Sequence, residues 1–539
     1  MKKFLRHLRP HPQGRRARTV SHDRDDPHAA MPAHDCTQRL PPPLLSAIFA
    51  DVCPHVRDDS YNSSEESMTE DGCMLCDMRD LAHCALVCRR WHREAQALLY
   101  RHVRIDPVHY CELEIALADK RKKNRSMFDR NGEPIDAPQV RLTLFMRTVR
   151  ERRDLAALVL SLRMPYMTRE ASKAVLARTV SVLPGLRYVD LPAGFYADEP
   201  SSLALKQELM ARCPEIRRMR YAAGAEATFA AVPGSRLWAN LEVLELSSLD
   251  VEPTTLRRVL SAFPLLQDLT LEHLPWADDS LFAPVSAVPP FPPLQRLSLL
   301  DVPNITASGL ATYLSNPQTR GVLAHLTLSN TGVLPHTLHA ILLAAPGLRS
   351  LSISQEVSRA FPLEHIPPLS SRSLRMLHYE ITSPGSSYGL QPTASTYYAY
   401  LMSSLTSNAL PALQDLYVRD ATFPETLLLA PPPRIFSGGD PQPRHRGLNR
   451  PLNVYSKGMD ELEWNFTPYE PPATRGRRDS TTRPVSFHGA QLSPSWGGEA
   501  RRSVLVGNGF GGFLAVPVDE GRPKSSGGWK SEGKQDLWR

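Results

Sequence analysis

No uninterrupted apolar stretch in these 539 residues is long enough to cross a bilayer, and the start carries no apolar secretory core. Neither a membrane protein nor a secreted one is expected. The eight cysteines are scattered without the spacing of a disulfide framework, so the chain reads as soluble, reduced and intracellular, cytoplasmic and/or nuclear. A one-signed charge is missing too. The formal net charge of +7 comes from arginines clustered near both ends, which argues against a basic nucleic-acid-binding domain. No His/Asp/Ser or Cys/His set lies in a recognisable catalytic context, and no cofactor or metal is expected. One glycine-rich string, Gly507-Asn508-Gly509-Phe510-Gly511-Gly512, has the form of a dinucleotide loop. It is followed by strand-like Phe513-Leu514-Ala515-Val516-Pro517, where a helix would have to begin. An enzyme using that tail would have to bind nucleotide, and a kinase would need downstream motifs for which no chain is left.

What the chain has is a 42% apolar fraction, enough for a sizeable core, and 49 prolines, enough to punctuate it into many short elements. Two stretches near the start carry apolar residues at helical spacing. In the first, Pro41-Pro42-Pro43 sets a helix entry, and Leu44, Leu45, Ile48, Phe49 and Val52 make one broad stripe. In the second, Leu81, Cys84, Ala85, Leu86, Cys88 and Trp91 do the same, edged by Arg89, Arg90, His92 and Arg93. Two short helices cannot bury two such stripes between themselves. Apolar surface is left for a partner, unless the pair is an ordinary helical hairpin with a tryptophan core.

The pattern LPxxLLxxIFxxV, then LxxCxLVCRRWxxxAxxLLYRHV, resembles the F-box over about residues 39–105. That family supplies the adaptor-binding module of cullin–RING ubiquitin ligase receptors. The resemblance implies that Leu40, Pro41, Leu44, Leu45, Ile48, Phe49, Leu86, Val87 and Trp91 contact a Skp-type adaptor. Pro43 stands where the family usually has an acidic residue, and residues 56–80 form an acidic insertion between the helices. The polar composition of Arg57 to Asp80 predicts a flexible surface loop. It holds a Cys73-Met74-Leu75-Cys76 pair, with His83, Cys84 and Cys88 beyond. One CxxC leaves two zinc ligands missing, and Cys84 and Cys88 fall at apolar core positions of the family pattern.

After a short strand at His102–Ile105, residues 106–154 read as a helical linker. Its helices are expected at Glu112 to Lys123 and from Leu142 to Leu158, with a turn at Asp129–Pro134 between them. From about residue 155 to 430 one string recurs, apolar-x-x-apolar-x-apolar. It appears as Leu186-Val189-Leu191, Ile216-Met219-Tyr221, Leu241-Leu244-Leu246, Leu266-Leu269-Leu271 and Leu294-Leu297-Leu299. It continues as Leu323-Leu326-Leu328, Leu348-Leu351-Ile353, Leu374-Leu377-Tyr379 and Leu413-Leu416-Val418. The spacing is mostly about 25 to 30 residues, within the range of leucine-rich repeats. Its last two apolar positions share one face of a short strand, and prolines such as Pro214, Pro264 and Pro346 stop the intervening helices. Leu249, Leu274, Val302 and Thr331 occupy the place of the repeat family's asparagine ladder, so the repeats are degenerate.

The expected fold is therefore α/β: an N-terminal α-helical F-box followed by a degenerate leucine-rich-repeat solenoid, parallel strands concave and helices convex. Glu242, Glu245, Gln267, Asp268, Gln295, Arg296, His325, Arg349, Arg375, Gln414 and Asp415 would face a protein target from that concave side. Residues 431–469 read as a loop and a cap, with strands at Leu452–Tyr455 and Leu462–Phe466. Residues 1–38 and 470–539 read as mostly disordered tails, the first basic enough for an import signal or a presequence. On the resemblance, the chain is a non-catalytic receptor. It would hold the Skp-type adaptor, through it a cullin–RING ligase, and an unknown protein substrate, with neither nucleic acid nor membrane as partner. The alternative is a ligase-independent scaffold or protein-binding protein whose F-box helices simply pack on the repeats.

Overall fold

Pro41, extended at φ −61° and ψ 148°, leads into helix α1 (Pro42–Val52), where a proline at the first position forgoes an N–H that the helix would leave unpaired anyway. This computed structural model describes residues 39–66, 74–105, 137–235, 237–384, 392–429, 450–458 and 461–471, with isolated residues between. The readings made for both tails, for 112–134, for the loop at 431–450 and for the glycine-rich string lie largely or wholly outside these residues.

Helix α2 (Met74–Val87) begins inside the segment expected to be loop. It stops at Cys88, which is extended (φ −154°, ψ 170°) and caps helix α3 (Arg89–Arg101) by accepting the Trp91 N–H on its sulfur at 3.5 Å. The apolar stretch 81–91 is thus two helices rather than one, and the break places Cys88 at a cap instead of in a core. Leu45, Phe49, Leu81 and Ala95 are at most 1% exposed and form the centre of this bundle. The Trp91 ring meets Phe49 edge-on at 5.0 Å.

Strand β1 (His102–Arg104) follows α3 without a loop. It pairs in parallel with β2 (Ser161–Arg163), which pairs with β3 (Tyr188–Val189). The helical module and the first repeats therefore share a sheet, so the boundary expected at residue 155 does not separate two independent cores. Helix α4 (Ala137–Glu151) begins and ends earlier than expected, because Arg152 is extended at φ −126° and only a short turn follows it.

Among the described residues, ten strands make the long sheet. They are β4 (Arg218–Ala222), β5 (Val243–Ser247), β6 (Asp268–Glu272), β7 (Arg296–Leu300), β8 (His325–Ser329), β9 (Ser350–Glu356), β10 (Met376–Thr382), β11 (Asp415–Val418), β12 (Leu452–Ser456) and β13 (Asn465–Tyr469). They lie in chain order, all neighbours parallel except the last pair. The recurring string sets the register: Met219, Leu244, Leu269, Leu297, Leu326, Leu351, Leu377, Leu416 and Val454 are successive partners, all buried. Each buried side chain of this size contributes roughly 1.5–3 kcal/mol, and stacking turns the nine residues into one continuous core. The final strand sits three residues later than expected, at 465–469, where it pairs antiparallel with β12 and ends the array.

In place of an asparagine ladder, Leu249, Leu274 and Val302 are buried apolar residues. The residue before each of these positions does the turning. Ser248, His273, Asp301 and Asn330 have φ between 50° and 53°, and each donates its N–H to the carbonyl of the next repeat's strand at 2.8–2.9 Å. Ser248 is exposed, so its substitution isolates the backbone effect. Ser248→Val is expected to cost about 1–2 kcal/mol, because a β-branched side chain clashes at positive φ. Ser248→Gly is expected to be neutral or slightly stabilising; urea denaturation of the two variants measures both.

Candidate adaptor-binding surface and concave face

The stripe on α1 divides into two rows. Leu45 and Phe49 are each 1% exposed and hold the bundle together, whereas Leu44 and Ile48, also four apart, are 53% and 47% exposed. At the end of α2, Leu86 and Val87 are 56% and 62% exposed. Pro41 is exposed, and Leu40 and Trp91 are half-buried. Of the nine residues singled out in the sequence, Leu44, Ile48, Leu86, Val87 and Pro41 are therefore presented outward. Leu45 and Phe49 are core, because a three-helix bundle must cover the inner half of each stripe. Apolar side chains of that size on the outside of a bundle are what a protein partner would cover.

Residues 58–66, expected to be free in solvent, are a strap pinned across the first strands of the repeats. Arg163, on β2 and 2% exposed, donates from Nε to the Asn62 carbonyl at 3.1 Å, from its Nη groups to the Asp58 and Ser60 carbonyls, and pairs with the Asp58 carboxylate at 3.5 Å. Glu65 pairs with Arg169 at 2.9 Å and accepts the Tyr166 N–H. Arg218, on β4, donates to the Tyr61 carbonyl and pairs with Glu66 at 3.8 Å and with Glu245. The Ser64 N–H reaches the buried Asp190 carboxylate at 3.1 Å, where Arg169 and the Tyr188 hydroxyl also converge. Burial nonetheless pushes the Asp190 carboxyl above its ordinary range. The acids that suggested a solvated loop are the groups that dock it, since the arginines they meet lie more than a hundred residues away.

His102 adds a pH dependence to this junction. Its ring lies 3.0 Å from Ser161 Oγ and 3.2 Å from Asp59, and burial lowers its pKa to about 4, with Asp59 only partly opposing. Between the ordinary 6.5 and about 4 the unfolded chain binds a proton that the folded chain refuses. This contribution to stability is therefore present above 6.5 and lost as the pH falls to 4. His102→Gln is expected to flatten that part of the curve, read from urea midpoints at neutral and acid pH.

On the concave face the alternating polar positions point away from the core, as the period of two requires. Glu245, Asp268, Arg296, His325 and Asp415 lie on strands; Glu242, Gln267, Gln295, Arg349, Arg375 and Gln414 lie one residue before a strand, at the rim. Sequence reasoning passed over an aromatic cluster at the carboxy-terminal end. His378, Tyr417 and Tyr455, one per strand and in register, stack at 5.2 and 4.4 Å. Trp464 stands edge-on to the first two, and the Lys457 ammonium sits 4.1 Å above its ring. Beside them, Glu380 is bound by His378 at 2.5 Å and by Arg419 and Lys457 at 3.5 Å each. Burial raises its pKa, but these three partners outweigh it and hold the carboxyl below the ordinary value. Partly exposed tyrosine and tryptophan of this kind are common anchors of protein interfaces.

With this geometry in place, comparison with known proteins identifies the module. Residues 37–106 match the family model described as F-box-like. The chain therefore carries an F-box-like domain on its amino-terminal side, followed by a repeat solenoid of the leucine-rich-repeat type. Among solved structures, the crystal structure of the Rad7 and Elc1 complex in yeast aligns with 15% identity, covering 52% of this chain and 67% of that one. Its TM-score of 0.32 is too low to bear on function. No curated protein sequence matches. Among the described residues, no helix is long and apolar enough to cross a membrane.

Proposed function

We propose that this chain is the substrate-recognition subunit of an SCF-type ubiquitin ligase. Its F-box-like domain binds a Skp-type adaptor and its concave face binds a protein target. The observation that carries the reading is the outer row of Leu44 and Ile48, with Leu86 and Val87, left exposed on a domain that matches the F-box-like family. In this reading the chain contributes no chemical group. It raises the effective concentration of target lysines at the ligase's charged conjugating enzyme, which is catalysis by proximity. The aromatic cluster around Tyr417 and Trp464 is the favoured anchor for the target.

Co-purification of the full chain with the adaptor tests this. Leu44→Arg with Ile48→Arg changes only exposed side chains, so circular dichroism should be unaltered while adaptor affinity falls at least about thirtyfold, the size of one lost hot spot of ~2 kcal/mol. If folded wild-type chain fails to retain the adaptor, the receptor reading is wrong. The scaffold reading then takes its place, supported by the pairing of β1 with β2, which packs the helices on the repeats without any adaptor.

A further inference from the structure

The turn joining α1 to the strap runs Cys53-Pro54-His55-Val56, its last three residues within a short 3-10 turn (Pro54–Arg57). Three potential metal donors meet there. Cys53 is fully buried, the His55 side chain is 9% exposed, and Asp77, in the first turn of α2, is 20% exposed. His55 Nδ1 lies 3.6 Å from an Asp77 oxygen, and one donor atom from each residue lies within 4.8 Å of the other two. Donors around tetrahedral zinc stand about 3.3–3.7 Å apart, given bonds of about 2.0–2.3 Å, so the His–Asp pair is already spaced for it. Burial and the neighbouring Asp77 carboxylate push the Cys53 thiol up to about 11, with the backbone N–H groups of Val56 and His55 only partly opposing, so its deprotonation would have to come with the metal. Proline at position 54 fixes the φ of the turn that aims these N–H groups. Among the described residues, no lysine or arginine pairs with Asp77.

We propose that Cys53 Sγ, a ring nitrogen of His55 and the Asp77 carboxylate bind a zinc ion, with the fourth position left to water. Thiolate, imidazole and carboxylate together are a donor set that zinc accepts, and calcium or magnesium would reject the sulfur. The site is distinct from the Cys73-x-x-Cys76 pair that the sequence brings forward. In that neighbourhood Cys88 caps α3 and His83 sits on the exposed side beside Asp80 at 3.7 Å. Zinc here would tie the turn at the root of the strap to α2.

The test is cobalt(II) titration of the full chain after chelator treatment, followed by competition with zinc. The folded wild type should develop thiolate-to-cobalt charge-transfer absorption that zinc abolishes, and zinc should raise its melting temperature. Cys53→Ser should lose the band while Cys84→Ser and Cys88→Ser keep it. Asp77→Asn, a change at a partly exposed ligand that leaves the core intact, should weaken cobalt binding at least about tenfold; it decides the matter if Cys53→Ser does not fold. A folded wild type with no band overturns the proposal. So does a band that survives Asp77→Asn at full affinity, or one that disappears in Cys84→Ser but not in Cys53→Ser.

Discussion

Arg163→Ala is expected to destabilise the chain by about 3–5 kcal/mol and to expose residues 58–66 to a glutamate-specific protease, which wild-type chain should resist. The figure is that of breaking a buried charged contact by removing one partner. Here the guanidinium is 2% exposed, and the groups left behind are the carbonyls of Asp58, Ser60 and Asn62 and the Asp58 carboxylate. Arg163→Lys should recover little, since a single ammonium cannot span three carbonyls in fixed directions as a planar fork does. Urea midpoints and the rate of strap cleavage read the two effects separately. Unchanged cleavage in Arg163→Ala would show that the strap is held by Arg169 and Arg218 alone.

Leu297→Ala, in the middle of the long sheet, should cost about 2–5 kcal/mol through the cavity it leaves. Leu297 is fully buried and stands between Leu269 and Leu326 in the ladder. The larger consequence concerns cooperativity. In a stacked array each repeat is stabilised only by its neighbours, so a weakened central interface uncouples the two halves. Leu297→Ala is expected to split urea unfolding into two transitions, with hydrogen exchange accelerated on both sides of β7. Val454→Ala, in the last parallel strand, should instead loosen that end and leave one main transition. A single transition in both variants would mean that the helices on the other face carry the cooperativity.

The repeats were legible because the same two-residue alternation returns nine times, and stacking converts that local pattern directly into register. The F-box-like helices were legible for a similar reason, through spacing and a tryptophan. The division of the stripe into Leu45 and Phe49 inside and Leu44 and Ile48 outside was not, since one apolar face serves both a core and a partner and hydrophobicity alone does not separate them. The break at Cys88 was hidden because cysteine is a rare cap. The strap was misread for a deeper reason: acidic and serine-rich composition means solvation unless cations await it. Arg163, Arg169 and Arg218 are brought to it by the fold from distant repeats. The stacked His378, Tyr417 and Tyr455 come from three different strands, set further apart in the chain than the earlier repeats, so no single repeat displays the pattern.

The reversal of direction at β13 has a bearing on assembly. A parallel sheet of stacked units can accept another unit, from its own chain or from a neighbour's, as long as its outermost strand runs the same way as the rest. Here the outermost strand among the described residues runs backwards and contains Pro468, which stands opposite Asn453 and has no amide hydrogen to offer. Such an edge is a poor template for a further strand, so the sheet is terminated chemically as well as by the end of the repeats. High concentrations of this chain should therefore not polymerise through that edge, and restoring the donor with Pro468→Val would be the change most apt to let them.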